Sequence, residues 1–544
     1  MWRRLVHMLL GAFLVVVSVQ GATAQTQDEL VRFYQDWRAF EMPDFTDHVP
    51  DYTAGAMSQQ QRELVGWMDR LYAMDVESWP VSQQIDWHVI RAEINGLDFD
   101  HRVRRPWAKD PAYYVTIYEA QSDVPAHEGS VIHGWIDLWT YDYPLSTSDA
   151  AEMAARIGAI PGLLEEARVN LNDSNARDLW LAGDRSFRGQ AGALDAFGAR
   201  VAGTSRDLDR AIVAARDASD AFRMWLEAEA PSKTGPSGVG KDDYTWYMQN
   251  VHLVPYSWEE QVTIMRRELA RSHASMRLEE NRNRHLPALE RISDTRNYDN
   301  LLNASVTAYM KFLEDEEVQT VEPWMDPALR AVNGSFTPAA TGEVRNFFLE
   351  VIYRAPDAFR PHMHHWIELA RMRENPHASL IRATPQLYNI FDSRSEGLAT
   401  GVEEMFMHLG LLEGQPRARE LTWIMLAQRS ARALSGLMLH GGEYDMEQAV
   451  TNAMKWTPRG WLTEGDLVRS EQHLYLRQPG YGTSYVTGKV QIEELLAEYA
   501  IEEGEDFTVK RFFDGFFDAG VIPIVLTRWE MTGEKHPILE LGRR

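Results

Sequence analysis

The chain has 544 residues, no cysteine, and 80 acidic against 55 basic residues, which gives a net charge of −25. Its length allows a large buried core, and its 44% of hydrophobic residues indicates a folded protein rather than a disordered one. The lack of thiols excludes disulfides, cysteine nucleophiles and thiolate metal ligands, so a metal site would need His, Asp or Glu. The acidic balance gives no broad electrostatic support for binding nucleic acid.

The first 24 residues have the pattern of an export signal. Arg3 and Arg4 precede an apolar run of about 15 residues, which is shorter than the roughly 20 that span a bilayer. Ala22 and Ala24 then provide a small-residue cleavage motif. We expect cleavage after Ala24 and a periplasmic or secreted mature protein, without stable insertion into the membrane.

From residue 25 onward, apolar residues mostly recur with the 3.6-residue period of amphipathic helices. This period is clearest in residues 28–41, 60–74, 151–171 and 257–282. Strand-like patterns are few and short, at residues 117–121 and 521–526. The sequence therefore predicts a mostly α-helical fold, a large multi-helix scaffold with few short strands.

One internal segment has the composition of a linker. Ala230–Asp243 contains two prolines and three glycines between helical patterns. After it, Ser257 and Glu260 have the spacing of a capping box that opens a long helix. We predict two helical lobes, residues 25–235 and 236–544, with a cleft between them that could bind an extended substrate.

Histidines and carboxylates concentrate between residues 362 and 408. Pairs such as His364 and Glu368, four residues apart, fall on one face of a helix. Imidazoles and carboxylates from two neighbouring helices can hold zinc and leave a position open for water, while a further carboxylate acts as the base. The candidate zinc ligands are His364, His365, His377, Glu396 and Glu403, and the candidate bases are Glu368 and Glu374.

The same spacing also suits ordinary ion pairs on helices. Pro376 interrupts the helical face that Glu374 and His377 would share, and the HExxH signature of zinc peptidases is absent. Several arginines surround the carboxylates and could simply neutralise them. Alternatively, Arg429 and Arg432 could bind a substrate carboxylate, because guanidinium groups pair with carboxylates in a bidentate way. Both interpretations stay open at this point.

Four segments are similar to motifs of one bacterial family. Residues 477–489, RQPGYGTSYVTGK, resemble a PGxxxSYxxG element, and residues 510–526 resemble an F-H-D…G-x-x-P-L ending. Residues 396–404, EGLATGVEE, are similar to an EGWALYxE helix, and residues 427–450 correspond to an arginine-rich helix that ends in a histidine. By these motifs, roughly residues 240–530 resemble the bacterial domain of unknown function 885 family, whose members look like helical relatives of zinc peptidases.

The resemblance implies roles for individual residues. Glu396 and Glu403 match glutamates of the family's second metal-binding helix. Tyr485 matches the tyrosine of the SYxxG element, which would donate a hydrogen bond to an oxyanion. His440 matches the histidine after the arginine-rich helix, a candidate catalytic residue, and a helix C-terminal cation is the structural alternative.

The PGYGTSY element also contains two candidate substrate contacts, Gly480 and Tyr481. For Gly480, the alternative is that the glycine only permits a turn.

The chain departs from the family pattern in the segment that should carry metal ligands. The HExxPGHH segment of the family aligns with residues 372–379, where Met372 and Arg373 replace its leading His and Glu. Ala378 and Ser379 replace its paired histidines. Either the ligands have moved to the neighbouring histidine-rich segment, or the zinc chemistry has been lost.

These observations predict an exported metal-dependent peptidase or amidohydrolase that acts on a peptide-like or small-molecule substrate, with zinc as the cofactor if the ligands have moved. Two alternatives remain. The chain could be a metal-free binding or interaction protein that keeps the scaffold, or a non-hydrolytic acid–base enzyme such as a lyase. The sequence specifies no oligomeric state.

Overall fold

The computed structural model describes residues 27–339, 343, 345–463 and 465–541. The predicted leader and its cleavage site after Ala24 lie outside these residues. The described chain is mainly α-helical, as predicted, and its strands are two residues long. Strand β1 (Phe45–Thr46) pairs antiparallel with β2 (Val49–Pro50), and β3 (Ile117–Tyr118) pairs parallel with β4 (Ile136–Asp137).

The helices follow one another with short connections. In the first part of the chain they are α1 (27–41), α2 (Ala54–Tyr72), α3 (Val81–Phe99), α4 (Pro106–Lys109), α5 (Thr147–Gly158), α6 (Ile160–Asn170), α7 (Arg177–Val201) and α8 (Arg206–Glu229). Next come α9 (Lys241–Asn250), α10 (Trp258–Arg282), α11 (Thr295–Asp315), α12 (Met325–Ala331), α13 (Phe347–Ile352), α14 (Pro356–Phe359), α15 (His364–Glu374) and α16 (Leu380–Ala383). The last are α17 (Asp392–His408), α18 (Pro416–His440), α19 (Met446–Trp456), α20 (Asp466–Arg477), α21 (Tyr481–Glu503), α22 (Val509–Asp518) and α23 (Ile524–Thr532).

The predicted capping box at the start of α10 is confirmed. The Ser257 side chain accepts a hydrogen bond from the Glu260 backbone, and the Glu260 side chain accepts one from the Ser257 backbone. These bonds satisfy backbone donors that have no partner within the helix. Helix α10 packs against α18, which is buried on all sides along most of its length and therefore forms a central helix of the scaffold.

Helices α17 and α21 lie very close together because both have glycine at the crossing. A Cβ atom on Gly397 would overlap the backbone of Gly488, and one on Gly488 would overlap the backbone carbonyl of Ser393. Gly488 thus serves helix packing rather than a turn. The close approach brings the side chains of α17 and the start of α21 into one buried region, where the candidate site lies.

The strand-like pattern at residues 521–526 is not a strand. Pro523 precedes the first residue of α23, and Ile524, Val525 and Leu526 form its first turn, buried in the core. A continuous apolar run fits either a buried strand or a buried helix, because its periodicity carries no information. The other strand-like pattern, at residues 117–121, contains β3.

The largest core cluster includes residues from both sides of position 235, such as Ile90 in α3 and Ile424 in α18.

A cavity of about 400 Å³ is lined by residues from Arg38 near the N-terminus to Gln478 after α20, including much of the segment 121–139. Within the described residues, no helix combines the length and the apolar character needed to cross a bilayer.

Candidate functional site

The centre of the candidate site is the contact between His365 and Glu396. His365 lies in the first turn of α15, directly after a 3₁₀ turn (Arg360–Met363), and Glu396 lies one turn into α17. The imidazole Nε2 of His365 is 3.3 Å from the carboxylate Oε2 of Glu396. Both atoms are buried and have no hydrogen-bond partner of good geometry among the described residues. The two predicted ligands therefore lie together in the interior.

Two further potential ligands lie close to His365. An oxygen of Asp123 and one ring nitrogen each of His362 and His365 lie within 4.8 Å of one another. The two imidazole rings are 5.1 Å apart and nearly perpendicular. Asp123 reaches this position from the loop between β3 and β4, far away in sequence from the two histidines. Two imidazoles and one carboxylate are thus brought together, and Glu396 borders this group through His365.

The second ring nitrogen of each histidine has a polar neighbour that fixes the ring. His365 Nδ1 is 3.2 Å from the hydroxyl of Ser395, and His362 Nδ1 is 3.4 Å from Glu403 Oε1. Arg429 in turn binds Glu403 through two hydrogen bonds of 2.6 and 2.8 Å and lies 3.1 Å from His362 Nδ1. A hydroxyl or carboxylate partner can orient a metal-binding histidine and fix its tautomer. Arg429 can only donate, so His362 Nδ1 accepts from it, and the neutral ring of His362 carries its proton on Nε2.

The hydroxyl group of Tyr481 lies between two carboxylates. It is 2.8 Å from Glu396 Oε1 and also hydrogen-bonded to Glu128, a residue of the β3–β4 loop. One hydroxyl has only one proton to donate, so the second contact needs a proton on a carboxyl group. Burial and the charge of Asp123 raise the pKa of Glu128 to about 7, so Glu128 can hold that proton near neutral pH.

The electrostatics of the two histidines differ strongly. Burial alone would lower the pKa of His365, but the carboxylates of Glu396 and Asp123 outweigh it and raise the pKa to about 9. Burial and the positive charge of Arg429 hold the pKa of His362 well below its usual range. The site therefore favours the protonated, positively charged form of His365 and the neutral form of His362.

The other two predicted histidine ligands lie elsewhere. His364 Nδ1 is 3.1 Å from the hydroxyl of Tyr309, and its ring stacks on Phe517. His377 is only partly buried, and its Nδ1 accepts a hydrogen bond from the Ser379 backbone. Among the described residues, neither belongs to a cluster of three potential metal ligands. His364 points away because it is adjacent to His365 on the helix and so faces a different side.

The remaining predicted carboxylates are paired with arginines. Glu368 forms an ion pair of 2.7 Å with buried Arg394, and Glu403 pairs with Arg429 as described. Glu374 is exposed at the end of α15, beside Arg373. The expected neutralisation by arginine thus applies to these three glutamates. Glu396, by contrast, has its ion-pair contact with His365 among the described residues.

The residues predicted from the PGYGTSY element lie around the site. Tyr485 is buried, and its hydroxyl donates to that of Tyr481 at 3.2 Å. Gly480 has a φ of +94° and immediately precedes α21, so it permits the turn from which Tyr481 enters the site. The ring of Tyr485 lies between Arg429 and Arg432, 5.7 and 5.9 Å from their guanidinium carbons.

His440 is at the end of α18 and is bound through both ring nitrogens. Its Nε2 is 2.9 Å from the Tyr475 carbonyl, and its Nδ1 accepts from the Val239 backbone. Burial lowers the pKa of His440 to about 4, so it stays neutral at physiological pH. These contacts give His440 a structural position that joins the segment before α9 to the last turn of α20.

Sequence reasoning missed Asp123 and Glu128 as functional residues. Both lie in the β3–β4 loop, which has no hydrophobic period to align them with the histidines. One signal was available, because a long irregular segment that contains carboxylates between short strands is a common location for functional residues.

The donor set fits a divalent metal without thiolate ligands. Two imidazoles and two carboxylates are ligands that zinc accepts, and the unpaired buried atoms His365 Nε2 and Glu396 Oε2 face each other. His362, His365 and Asp123 are the mutually close residues that could hold it, and Glu396 is the neighbouring carboxylate beside His365. The fold and this cluster together define a helical protein with a buried histidine–carboxylate centre.

The chain belongs to a family described as bacterial protein of unknown function, DUF885, whose model matches residues 38–344 and 364–531. The resemblance seen in the sequence is thereby confirmed. No curated protein shows significant similarity to the chain.

Two solved structures share the fold over nearly the whole chain. A predicted lipoprotein of unknown function from Shewanella oneidensis is 14% identical, with a TM-score of 0.65, and the match covers 94% of this chain and 99% of the other. A predicted lipoprotein from Colwellia psychrerythraea is also 14% identical, with a TM-score of 0.66 and the same coverage. At this identity the likeness concerns the fold alone.

Proposed function

We propose that the protein is a metal-dependent hydrolase that cleaves an amide or peptide bond. The observation that carries this proposal is the convergence of Asp123, His362 and His365 on one buried point that also borders Glu396. A divalent metal bound there would polarise a substrate carbonyl and lower the pKa of a bound water. Zinc is the metal we propose, because the donors are nitrogen and oxygen.

The residues around this point would have separate roles in proton transfer and in hydrogen bonding to the substrate. Glu128 shares the Tyr481 hydroxyl with Glu396 and can take a proton at Oε1 and return it to a leaving amine. Tyr481 holds Glu128 and Glu396 in a fixed relation. Tyr485, whose hydroxyl donates to that of Tyr481, can turn its own donor toward an oxyanion.

Arg432 is the residue we propose for binding a substrate carboxylate. It is buried and pairs with Glu471, but its Nε and Nη2 atoms have no hydrogen-bond partner among the described residues. A guanidinium with free donors beside the site can bind a carboxylate group of the substrate. Arg429 is less suitable, because both of its Nη atoms are bound to Glu403.

A panel of peptides and N-acyl amino acids, incubated with the chelated and the zinc-reloaded protein, tests the proposal. Reloading should restore hydrolysis, and Glu396→Gln should lose zinc and turnover together. Glu128→Gln should keep zinc but lose turnover by about 100-fold or more, as expected for a general acid–base residue. His377→Gln is the matched control and should behave as the unaltered chain. Hydrolysis that survives chelation, or zinc retained by Glu396→Gln, contradicts the proposal.

A metal-free acid–base enzyme is the second candidate. The raised pKa of His365 supports it, because an imidazolium beside Glu396 and Asp123 can neutralise those carboxylates without a metal. Such an enzyme would act with Glu128, Tyr481 and His365 as its proton donors and acceptors. It predicts turnover that is lost in His365→Gln but indifferent to chelator, and this indifference distinguishes it from the hydrolase.

We also propose that the protein is exported from the cytoplasm. The basic start and apolar run before Ala24 support it, and both structural neighbours are described as predicted lipoproteins. The chain itself contains no cysteine, so in these residues no cysteine can carry a lipid. N-terminal sequencing of the protein from a periplasmic fraction should begin at Gln25, and a protein found with the leader intact in the cytoplasm would contradict export.

A further inference from the structure

The β3–β4 loop supplies Asp123 and Glu128 to the site and is held by contacts to its side chains and to its backbone, of which the backbone contacts lie around Gly129. The His127 carbonyl accepts from Asn389 at 3.2 Å, and the Ser130 carbonyl accepts from Arg477 at 2.9 Å. Between them, the Gly129 N–H donates to Gln478 Oε1 at 2.6 Å. Gly129 has a φ of +79°, a conformation that suits glycine. The position of the two carboxylates therefore depends on what holds these backbone groups.

Gln478 joins the loop to the first residue of α17, the helix of Glu396, through its side-chain amide. Asn389, whose carbonyl accepts from the Asp392 backbone, and Tyr481, which contacts both Glu128 and Glu396, are further links between the loop and this helix. Gln478 Nε2 donates to Asp392 Oδ2 at 2.6 Å, and Asp392 is the first residue of α17, one turn before Glu396. Gln478 and Asp392 are both buried, with 2% and 0% of their surfaces exposed. One side-chain amide thus uses its donor for the helix and its acceptor for the loop. Arg477, by contrast, ties the loop to Asp110, which is not part of α17.

We infer that Gln478 is a positioning residue that holds Asp123 and Glu128 in register with Glu396, by bridging the Gly129 backbone to Asp392. The inference rests on the proposed function for its catalytic consequence, but the bridge itself can be measured without any substrate. A loss of the bridge loosens the loop around Gly129, although Asn389, Arg477 and Tyr481 still contact it, while the histidines and Glu396 stay on their helices. Metal affinity should then fall because Asp123 is held less firmly, by roughly the 10–100-fold seen when partners outside the ligand set are removed.

The variants separate the two hydrogen bonds. Gln478→Leu has a similar volume and removes both. Gln478→Glu keeps an acceptor for the Gly129 N–H but places a carboxylate against Asp392. The double change Asp392→Asn with Gln478→Glu exchanges the amide and the carboxylate, so the new amide at position 392 can donate to the new carboxylate at position 478, which still accepts from Gly129. Gln491→Leu is the matched control, because Gln491 is also buried but donates within its own helix, to the Thr487 carbonyl.

Hydrogen–deuterium exchange of residues 119–134 and titration with Co²⁺, followed by its visible absorption spectrum, are the two measurements. Exchange in the loop should be slow in the unaltered chain, the double variant and Gln491→Leu, faster in Gln478→Glu and fastest in Gln478→Leu. The Co²⁺ affinity should follow the same order, and the spectrum should change where Asp123 is released.

Loop exchange in Gln478→Leu equal to that of the unaltered chain, or no recovery in the double variant relative to Gln478→Glu, overturns the inference. If Gln478→Leu does not fold, the comparison of Gln478→Glu with the double variant decides alone. If the unaltered chain binds no Co²⁺, the metal-dependent function fails, while the order of exchange rates still tests the bridge. The two failures are therefore distinguishable.

Discussion

Breaking the ion pair between Arg429 and Glu403 should destabilise the protein strongly. The Arg429 side chain has no exposed surface, and that of Glu403 has 2%. Arg429→Met leaves a buried carboxylate without its two hydrogen bonds of 2.6 and 2.8 Å. Removal of one partner of a buried pair costs about 3–5 kcal/mol, because the remaining charge is neither solvated nor paired. We expect a loss of this size in the free energy of unfolding, measured by urea denaturation.

Two further variants test whether the pair itself is responsible. Arg429→Met with Glu403→Leu removes both charges and should recover most of the loss, because apolar residues of similar volume can replace a buried pair at little cost. Arg210→Met removes the arginine of an exposed pair with Asp207, where 80% and 74% of the side chains are exposed, and should change stability by less than about 1 kcal/mol. A loss below about 1 kcal/mol for Arg429→Met, or a double variant less stable than the single one, would refute the reasoning.

The remaining predictions concern the stability effects of two glycines and one buried glutamate. Gly488→Ala should lower the free energy of unfolding by about 1–3 kcal/mol or more, because the added Cβ overlaps a facing backbone. Gly189→Ala, at an open position in the middle of α7, should raise the free energy of unfolding by about 0.5–1 kcal/mol. Thermal denaturation distinguishes the two outcomes. The last prediction concerns Glu404. Burial alone would raise the pKa of Glu404, but the hydrogen bonds and charges of Arg271 and Lys489 outweigh burial and lower this pKa to about 2. Since the folded pKa is below the unfolded one, this stabilisation is present above about pH 4.5 and is lost as the pH falls toward 2. The stability difference between the unaltered chain and Glu404→Gln should therefore shrink from pH 6 to pH 3, and a constant difference would contradict the assignment.

The helical fold follows from the sequence because most segments carry a clear amphipathic period. The capping box at Ser257 shows how local bonds fix a helix start independently of the rest of the chain. Residues 521–526 show the limit, since a fully buried apolar run has no period and its helix is set by Pro523 and the surrounding core. Gly488 shows another limit, because the close crossing that requires it depends on a second glycine, Gly397, nearly a hundred residues away.

Half of the candidate centre could be anticipated in the same way. His365 and Glu396 belong to helices; the histidine-rich segment indicated His365, and the family motif indicated Glu396, whereas His362 in the same segment was not among the predicted ligands. Asp123 and Glu128 could not be anticipated, because a loop between two very short strands places them by contacts with Gln478 and Tyr481, far along the chain. Helical spacing indicates which residues share a face but not which face meets a distant loop.

Zinc binding to the metal-free protein, measured by isothermal titration calorimetry, tests the central claim most directly. The unaltered chain and His377→Gln should bind one equivalent of Zn²⁺ with equal affinity, while His365→Gln should bind at least 100-fold more weakly. Absence of binding to the unaltered chain, or equal affinity in His365→Gln and His377→Gln, would show that the buried histidines and carboxylates do not form a metal site.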